Sequence, residues 1–272
     1  MKNILKKYAE AGIRDIELSG GTEFYPELED DMLQMKQEYN LNYICHAYFP
    51  PQEKDIVINL ASCNDEIYEA SIKHYEKCIH FLKRAGCPVL SVHAGFFTEI
   101  LPHEVGRELS GRVIYEREEA VERFCAAYTY LDRLCTENGI KLYLENNVLN
   151  RKNYDAFGKK NLFMLTDYEA FLQLREKLSF RFLLDLGHLH VTSYTLELDF
   201  QEQCRKLEPH VRWLHISHND GIADQHRPLC EDSATLYAYR KIFDRHLPVT
   251  LETGGSLEEI LASRRLLEEE II

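Results

Sequence analysis

The feature that most constrains this chain is a monotonous alternation. Amphipathic stretches with helical spacing take turns with short runs rich in Val, Ile, Leu and Tyr. The pattern predicts helices over 2–10, 28–39, 65–85, 116–137, 167–177, 200–206, 234–243 and 257–269. It predicts strands over 14–18, 42–46, 89–93, 141–145, 181–185, 212–215 and 249–252. Ala-Gly at 11–12 and 85–86, Asn-Gly at 138–139 and Leu-Pro at 247–248 punctuate the joins. Strands that alternate with helices imply a parallel sheet with helical crossovers. No Gly/Ser/Pro-rich linker divides the 272 residues, so one domain over 1–272 is expected. The best architecture is an α/β TIM-type (β/α) barrel. Seven of the eight strands are legible; the sequence opens on a helix where a barrel of this type first lays down a strand, so the first strand is expected to be missing. The gap so created would leave two strand edges to be covered by a helix, the C-terminal tail or a partner chain, and it favours a homodimer.

Composition narrows the classes. At 45% hydrophobic and 28% charged, the chain can bury a core and is not disordered. No apolar run approaches the ~18 residues of a membrane span. The opening MKNILKKYAEAG reads as an amphipathic helix rather than a secretory signal, so a cytoplasmic location is expected. A net charge of −13 argues against coating nucleic acid through bulk electrostatics. Eight cysteines without a C-x-x-C pair read as reduced thiols.

The chemistry lies at the strand ends. Six consecutive strands finish in His46, His93, Glu145, Asp185, His215 and Glu252. His188 follows Asp185 by three residues, and Asp224 and His226 lie in the loop after His215. In a parallel barrel all strand ends converge on the face that carries the active site. One such His is ordinarily a core histidine, but the series reverses that expectation. Imidazole with carboxylate suits Zn, Mn, Co or Fe in a site with an open position. Nine candidates are too many for one ion and would fill two or three sites, with a carboxylate such as Glu145 bridging. Clustered acids also need cations to neutralise them.

The segments YICHAYFPP, DIVINLAS, VLSVHAG, LYLENN, LLDLGHLH, LHISHNDGIADQH and VTLETGG resemble the xylose-isomerase-like TIM-barrel superfamily. That superfamily includes endonuclease IV and the sugar isomerase/epimerase group. The resemblance to endonuclease IV implies three zinc ions. His46 and His93 would hold one, with Glu145 bridging. Asp185, His215 and Glu252 would share Glu145 around the second, and His188, Asp224 and His226 would hold the third. In the epimerase relatives, Glu145, Asp185, His215 and Glu252 would hold one ion, with His188 on the substrate.

Departures from endonuclease IV concern the loops, which decide substrate on a shared barrel. ENNVLNRKN stands where that family has a glycine-rich segment, RPLCED replaces a Gly-x-Gly, and no DNA-intercalating loop is recognisable in SGGTEFYPEL. The expected function is therefore a metal-dependent isomerase or epimerase of a sugar or sugar phosphate. It would work through a metal-stabilised enediolate, with Glu145 and Glu252 exchanging the proton. One to three Zn ions, or Mn, would serve as cofactor. The alternatives are an endonuclease IV-like phosphodiesterase acting on abasic DNA and a non-catalytic metal-binding protein. His188, His218, Tyr48 and Phe96 are the expected substrate contacts, although Tyr48, Phe49, Phe96 and Phe97 could equally pack the core. His74, His80, His103, His210 and His246 read as surface or packing residues. His190 is weighed as a support for its neighbour His188.

Overall fold

The computed structural model describes residues 1–53, 56–104, 107–110 and 113–269. The strands are β1 (Asp15–Leu18), β2 (Asn42–Cys45), β3 (Val89–His93), β4 (Lys141–Glu145), β5 (Arg181–Asp185), β6 (Val211–Ile216) and β7 (Val249–Leu251). They follow one another in the sheet in sequence order. The α-helices are α1 (Lys2–Glu10), α2 (Leu28–Tyr39), α3 (Asp65–Ala85), α4 (Arg117–Glu137), α5 (Arg151–Ala156), α6 (Tyr168–Lys177), α7 (Leu186–Leu196), α8 (Phe200–Leu207), α9 (Ala234–Ile242) and α10 (Leu257–Glu268). The seven strands and eight helices expected from the sequence are all present, within two residues at each end.

The chain forms two compact units, residues 1–105 with 112–143 and residues 106–111 with 144–272. In the first unit β1 pairs with β2 and β2 with β3, all parallel. The burial pattern of β3, covered at all but its last residue, is that of a strand packed on both faces. Its core includes Met32, Tyr43, Phe81, Phe124 and Leu131, with Phe49 edge-on to Phe81 at 5.2 Å between centroids. Asn64 caps α3 by accepting the Glu66 N–H. Gly86 ends that helix at φ 62°, in the left-handed region that suits glycine.

In the second unit β5 pairs with β6 and β6 with β7, again parallel. Register here positions chemistry. Asp185 lies opposite His215, and Ile216 lies opposite Leu251, so Glu252 follows directly at the strand end. The Glu252 N–H still donates to the Ile216 carbonyl at 3.0 Å. Phe171 packs on Phe182 at 5.1 Å, anchoring α6 to β5. Asp167, Asp199 and Ser256 cap α6, α8 and α10, the last through a reciprocal box with Glu259.

Two helices escaped the sequence pattern. Helix α5 is a short one capped by Asn150. Helix α7 has eight of its eleven residues buried. A helix buried nearly all round has no polar face, so periodicity cannot reveal it. Of the acidic run at 268–270, Glu268 and Glu269 are exposed and Glu270 lies outside the described residues.

Candidate metal centre

The ends of β4, β5, β6 and β7 bring Glu145, Asp185, His215 and Glu252 together. A ligand atom of each lies within 4.8 Å of the others. Glu145, Asp185 and His215 are fully buried and Glu252 is half-buried. His215 Nδ1 lies 2.7 Å from Glu252 Oε2 and 3.5 Å from Glu145 Oε1. Three carboxylates thus crowd one imidazole, which can neutralise one of them. A divalent cation matches the remaining charge, and the donor set of oxygens and one nitrogen suits Zn or Mn.

Asp185 has two tasks. Its Oδ1 accepts the His188 N–H at 2.6 Å and so caps α7. Its Oδ2 is buried and has no hydrogen-bond partner, as expected of a carboxylate oxygen that faces an ion. Burial pushes the Asp185 carboxyl up to about 6, and the charges of Glu252, Glu145 and Asp224 add to the rise while His188 opposes it.

A second cluster, His188, Asp224 and His226, stands beside the first. His188 Nδ1 lies 2.9 Å from the Asn146 carbonyl and His226 Nδ1 lies 3.2 Å from the Glu252 carbonyl. A carbonyl only accepts, so both rings donate from Nδ1. That turns both Nε2 atoms toward Asp224 Oδ2, at 3.2 and 2.8 Å. Neutral rings would then meet a carboxylate lone pair to lone pair. Either both rings take a proton or a cation sits among the three atoms. Burial pushes the His188 pKa down, but Asp185 and Asp224 reverse this and hold it well above its ordinary value. The Asp224 hydrogen bond is the chief reason that His226 is raised to about 9. Burial alone would raise Asp224, yet the two histidines hold it below the usual carboxylate range. Asp224 Oδ1 is buried without a partner. A metal held by Nε2, with Nδ1–H donated to a carbonyl, is the ordinary arrangement of ligating histidines.

In the first unit, His46 follows β2 and His93 ends β3. Their Nε2 atoms are 3.1 Å apart and their rings meet edge-on. His46 is buried and His93 half-buried.

The expected substrate contacts divide. Phe49 and Phe97 are fully buried and belong to the core. Tyr48 and Phe96 are half-exposed. Tyr48 sits at φ 67°, and Asn59 holds Phe96 by accepting its N–H and donating to its carbonyl. His188 belongs to the second cluster. His218 is half-buried, with its Nδ1 buried and unpartnered. His190 Nδ1 bonds Asn219 Oδ1 at 2.7 Å, away from His188. Among the packing histidines, His74 is buried, His80, His103 and His246 are exposed, and His210 packs at a tilt against Phe171.

Asn146 was not anticipated as a site residue. Its side chain clamps Asp185, accepting the N–H at 2.7 Å and donating to the carbonyl at 3.1 Å. Its own carbonyl orients His188. The signal in the sequence was the position itself, directly after a strand-ending Glu.

The sequence profile of the xylose isomerase-like TIM barrel family matches residues 5–261. No curated protein matches the sequence. Among solved structures, the chain is similar to a D-tagatose 3-epimerase-like protein, with TM-score 0.70, 17% identity and coverage of 97% of this chain and 90% of the other. It is similar to the protein TTHB071 from Thermus thermophilus soaked with ZnCl2, with TM-score 0.64, 17% identity and coverage of 100% and 95%. It is also similar to an AP endonuclease, family 2, from Brucella melitensis, with TM-score 0.65, 16% identity and coverage of 96% and 91%. At these identities the likeness is one of fold. The profile match spans nearly the whole sequence, and the chain therefore belongs to the xylose isomerase-like TIM-barrel family.

Proposed function

We propose that this chain is a divalent-metal-dependent isomerase or epimerase of a sugar or sugar phosphate. The observation that carries the reading is the pair of carboxylates, Glu145 and Glu252, both beside His215 Nδ1 within one four-ligand cluster. Epimerisation at a carbon beside a carbonyl needs one base to remove a proton and an acid to return it. Glu145 projects from β4 and Glu252 follows β7, so two strands supply the two groups. The similarity to a D-tagatose 3-epimerase-like protein supports the same class.

Glu145, Asp185, His215 and Glu252 would hold the ion. When bound, a divalent cation supplies Lewis acidity that weakens the C–H bond beside a coordinated carbonyl. A Glu145 carboxylate oxygen takes the proton from carbon and Glu252 returns one. Asp185 is held in place by its cap on α7. His188 and His218 would orient substrate hydroxyls, and Tyr48 and Phe96 would offer apolar faces to the sugar ring.

The test is solvent deuterium exchange at the α-carbon of ketoses and their phosphates, using protein loaded with Zn or Mn. Exchange that disappears in Glu145→Gln supports the reading. No exchange on any ketose by metal-loaded protein overturns it.

A second reading, a phosphodiesterase acting on abasic DNA, is favoured by one specific observation. His188, Asp224 and His226 form a complete three-ligand cluster, of which a single-ion epimerase gives Asp224 and His226 no task. Cleavage of a duplex carrying one abasic analogue, together with a metal content near three zinc per chain, would put it first.

A further inference from the structure

We propose that Glu17 and Ser91 are positioning residues that hold His46 as the tautomer protonated on Nδ1, so that its Nε2 lone pair faces a divalent cation shared with His93. The inference rests on the reading of His46 and His93 as metal ligands. It concerns two residues that carry no ligand atom themselves.

Ser91 lies on β3 two residues before His93 and is 1% exposed. The Glu17 side chain, on β1, is 7% exposed. Ser91 Oγ has three polar neighbours. Glu17 Oε1 is at 3.0 Å, the Cys45 carbonyl at 3.3 Å and His46 Nδ1 at 2.8 Å. An ionised carboxylate and a carbonyl can only accept. Ser91 has one proton, and two acceptors compete for it. The short contact to His46 is then satisfied only when the ring donates from Nδ1. Glu17 Oε1 also lies 3.8 Å from Nδ1, and its charge favours a proton there.

The consequence falls on the other ring nitrogen. A neutral His46 protonated on Nδ1 carries its lone pair on Nε2, the atom 3.1 Å from His93 Nε2. Two imidazole nitrogens this close share one proton between them, or they share a cation. A carboxylate–hydroxyl–imidazole chain behind the ring fixes its tautomer and its orientation, and such supports typically carry 10–100-fold in metal affinity. A serine in the middle lets a distant carboxylate act on a ring it does not itself touch at hydrogen-bond distance.

The test has two readouts. Two-bond proton–nitrogen NMR of the imidazoles in metal-free protein, with His46 assigned by loss of its signals in His46→Gln, reads the tautomer directly. The expected result is an Nδ1–H ring in the wild type and a shift toward Nε2–H in Ser91→Ala. Calorimetric titration with ZnCl2 reads the affinity. The zinc lost in His93→Ala should bind about 10–100-fold more weakly in Ser91→Ala, with the other zinc unchanged. Glu17→Gln, which keeps an acceptor oxygen, should lose less than Glu17→Leu. An Nε2–H ring in the wild type, or unaltered zinc affinity in Ser91→Ala, overturns the proposal. If His93→Ala loses no zinc, the ligand reading of the pair fails, and the tautomer alone then decides whether the relay exists.

Discussion

The two units bury their candidate metal-ligating side chains in opposite ways. The first unit pairs two imidazoles and supports one of them through Ser91 and Glu17. The second gathers four carboxylates, Glu145, Asp185, Asp224 and Glu252, around His188, His215 and His226. An imidazole pair can satisfy itself with a shared proton, so it stands without a cation at little expense. Buried carboxylates cannot, because each is an acceptor only and like charges repel. The unpartnered oxygens of Asp185 and Asp224 mark the difference. A cation would therefore relieve more buried charge in the second unit than in the first.

The largest effect that would sharpen this contrast is in catalysis. Glu145→Gln should lower deuterium exchange by at least about a thousandfold, because it removes a base and a ligand at once. His46→Ala should cost about 10–100-fold. Equal losses in both variants, read as kcat/KM, would break the distinction between the regions.

Next comes metal removal. Chelation should lower the melting temperature, and zinc should restore it. Asp185→Asn should raise the melting temperature of the chelated protein by relieving repulsion, while losing most of the gain on adding zinc. His93→Ala should move the chelated protein much less. A chelated Asp185→Asn protein that melts below the chelated wild type would show that cap geometry at α7 outweighs charge there.

Acid sharpens the contrast from the other side. Burial pushes His74, in the first unit, down to about 4. Gln52 Nε2 lies 3.1 Å from its Nδ1, which accepts there. The unfolded chain binds a proton at this ring below about pH 6.5 and the folded chain does not until about pH 4. Stability is thus lost as pH falls through that window, by about 3 kcal/mol at most. Denaturant unfolding of His74→Phe from pH 7 to 4 should show a shallower decline than the wild type. Parallel curves would remove His74 as a cause of acid lability.

The smallest expected effect is a control. Ser256→Ala breaks the capping box of α10 and should cost about 1 kcal/mol. It should do so equally with and without zinc and leave metal content unchanged. A change in zinc affinity would tie α10 to the metal centre.

Much of this was legible in the sequence because strand and helix periods depend on which side of each element is buried. Amphipathic stretches such as α3 carried their own caps and stops, Asn64 and Gly86. The series of His, Asp and Glu at strand ends was visible because a parallel fold sends all those ends to one face. Helix α7 was invisible because burial on nearly every side removes the polar stripe that periodicity needs. Its start, however, sits on Asp185, so one carboxylate both caps the helix and joins the four-residue cluster.

The class of fold, the order of its elements and the kinds of atoms offered at the strand ends are all readable from the primary structure. Those follow from local patterning and from residue type at strand ends. Tertiary structure sets which nitrogen of His188 and of His226 is turned toward Asp224 and which oxygen of Asp185 is left without a partner. It also recruited Asn146, Ser91 and Glu17 as supports. These are facts of hydrogen-bond direction between residues far apart in the chain, as with Glu17 and Ser91. A proton's position on a ring depends on what stands behind that ring, and sequence spacing carries no record of it.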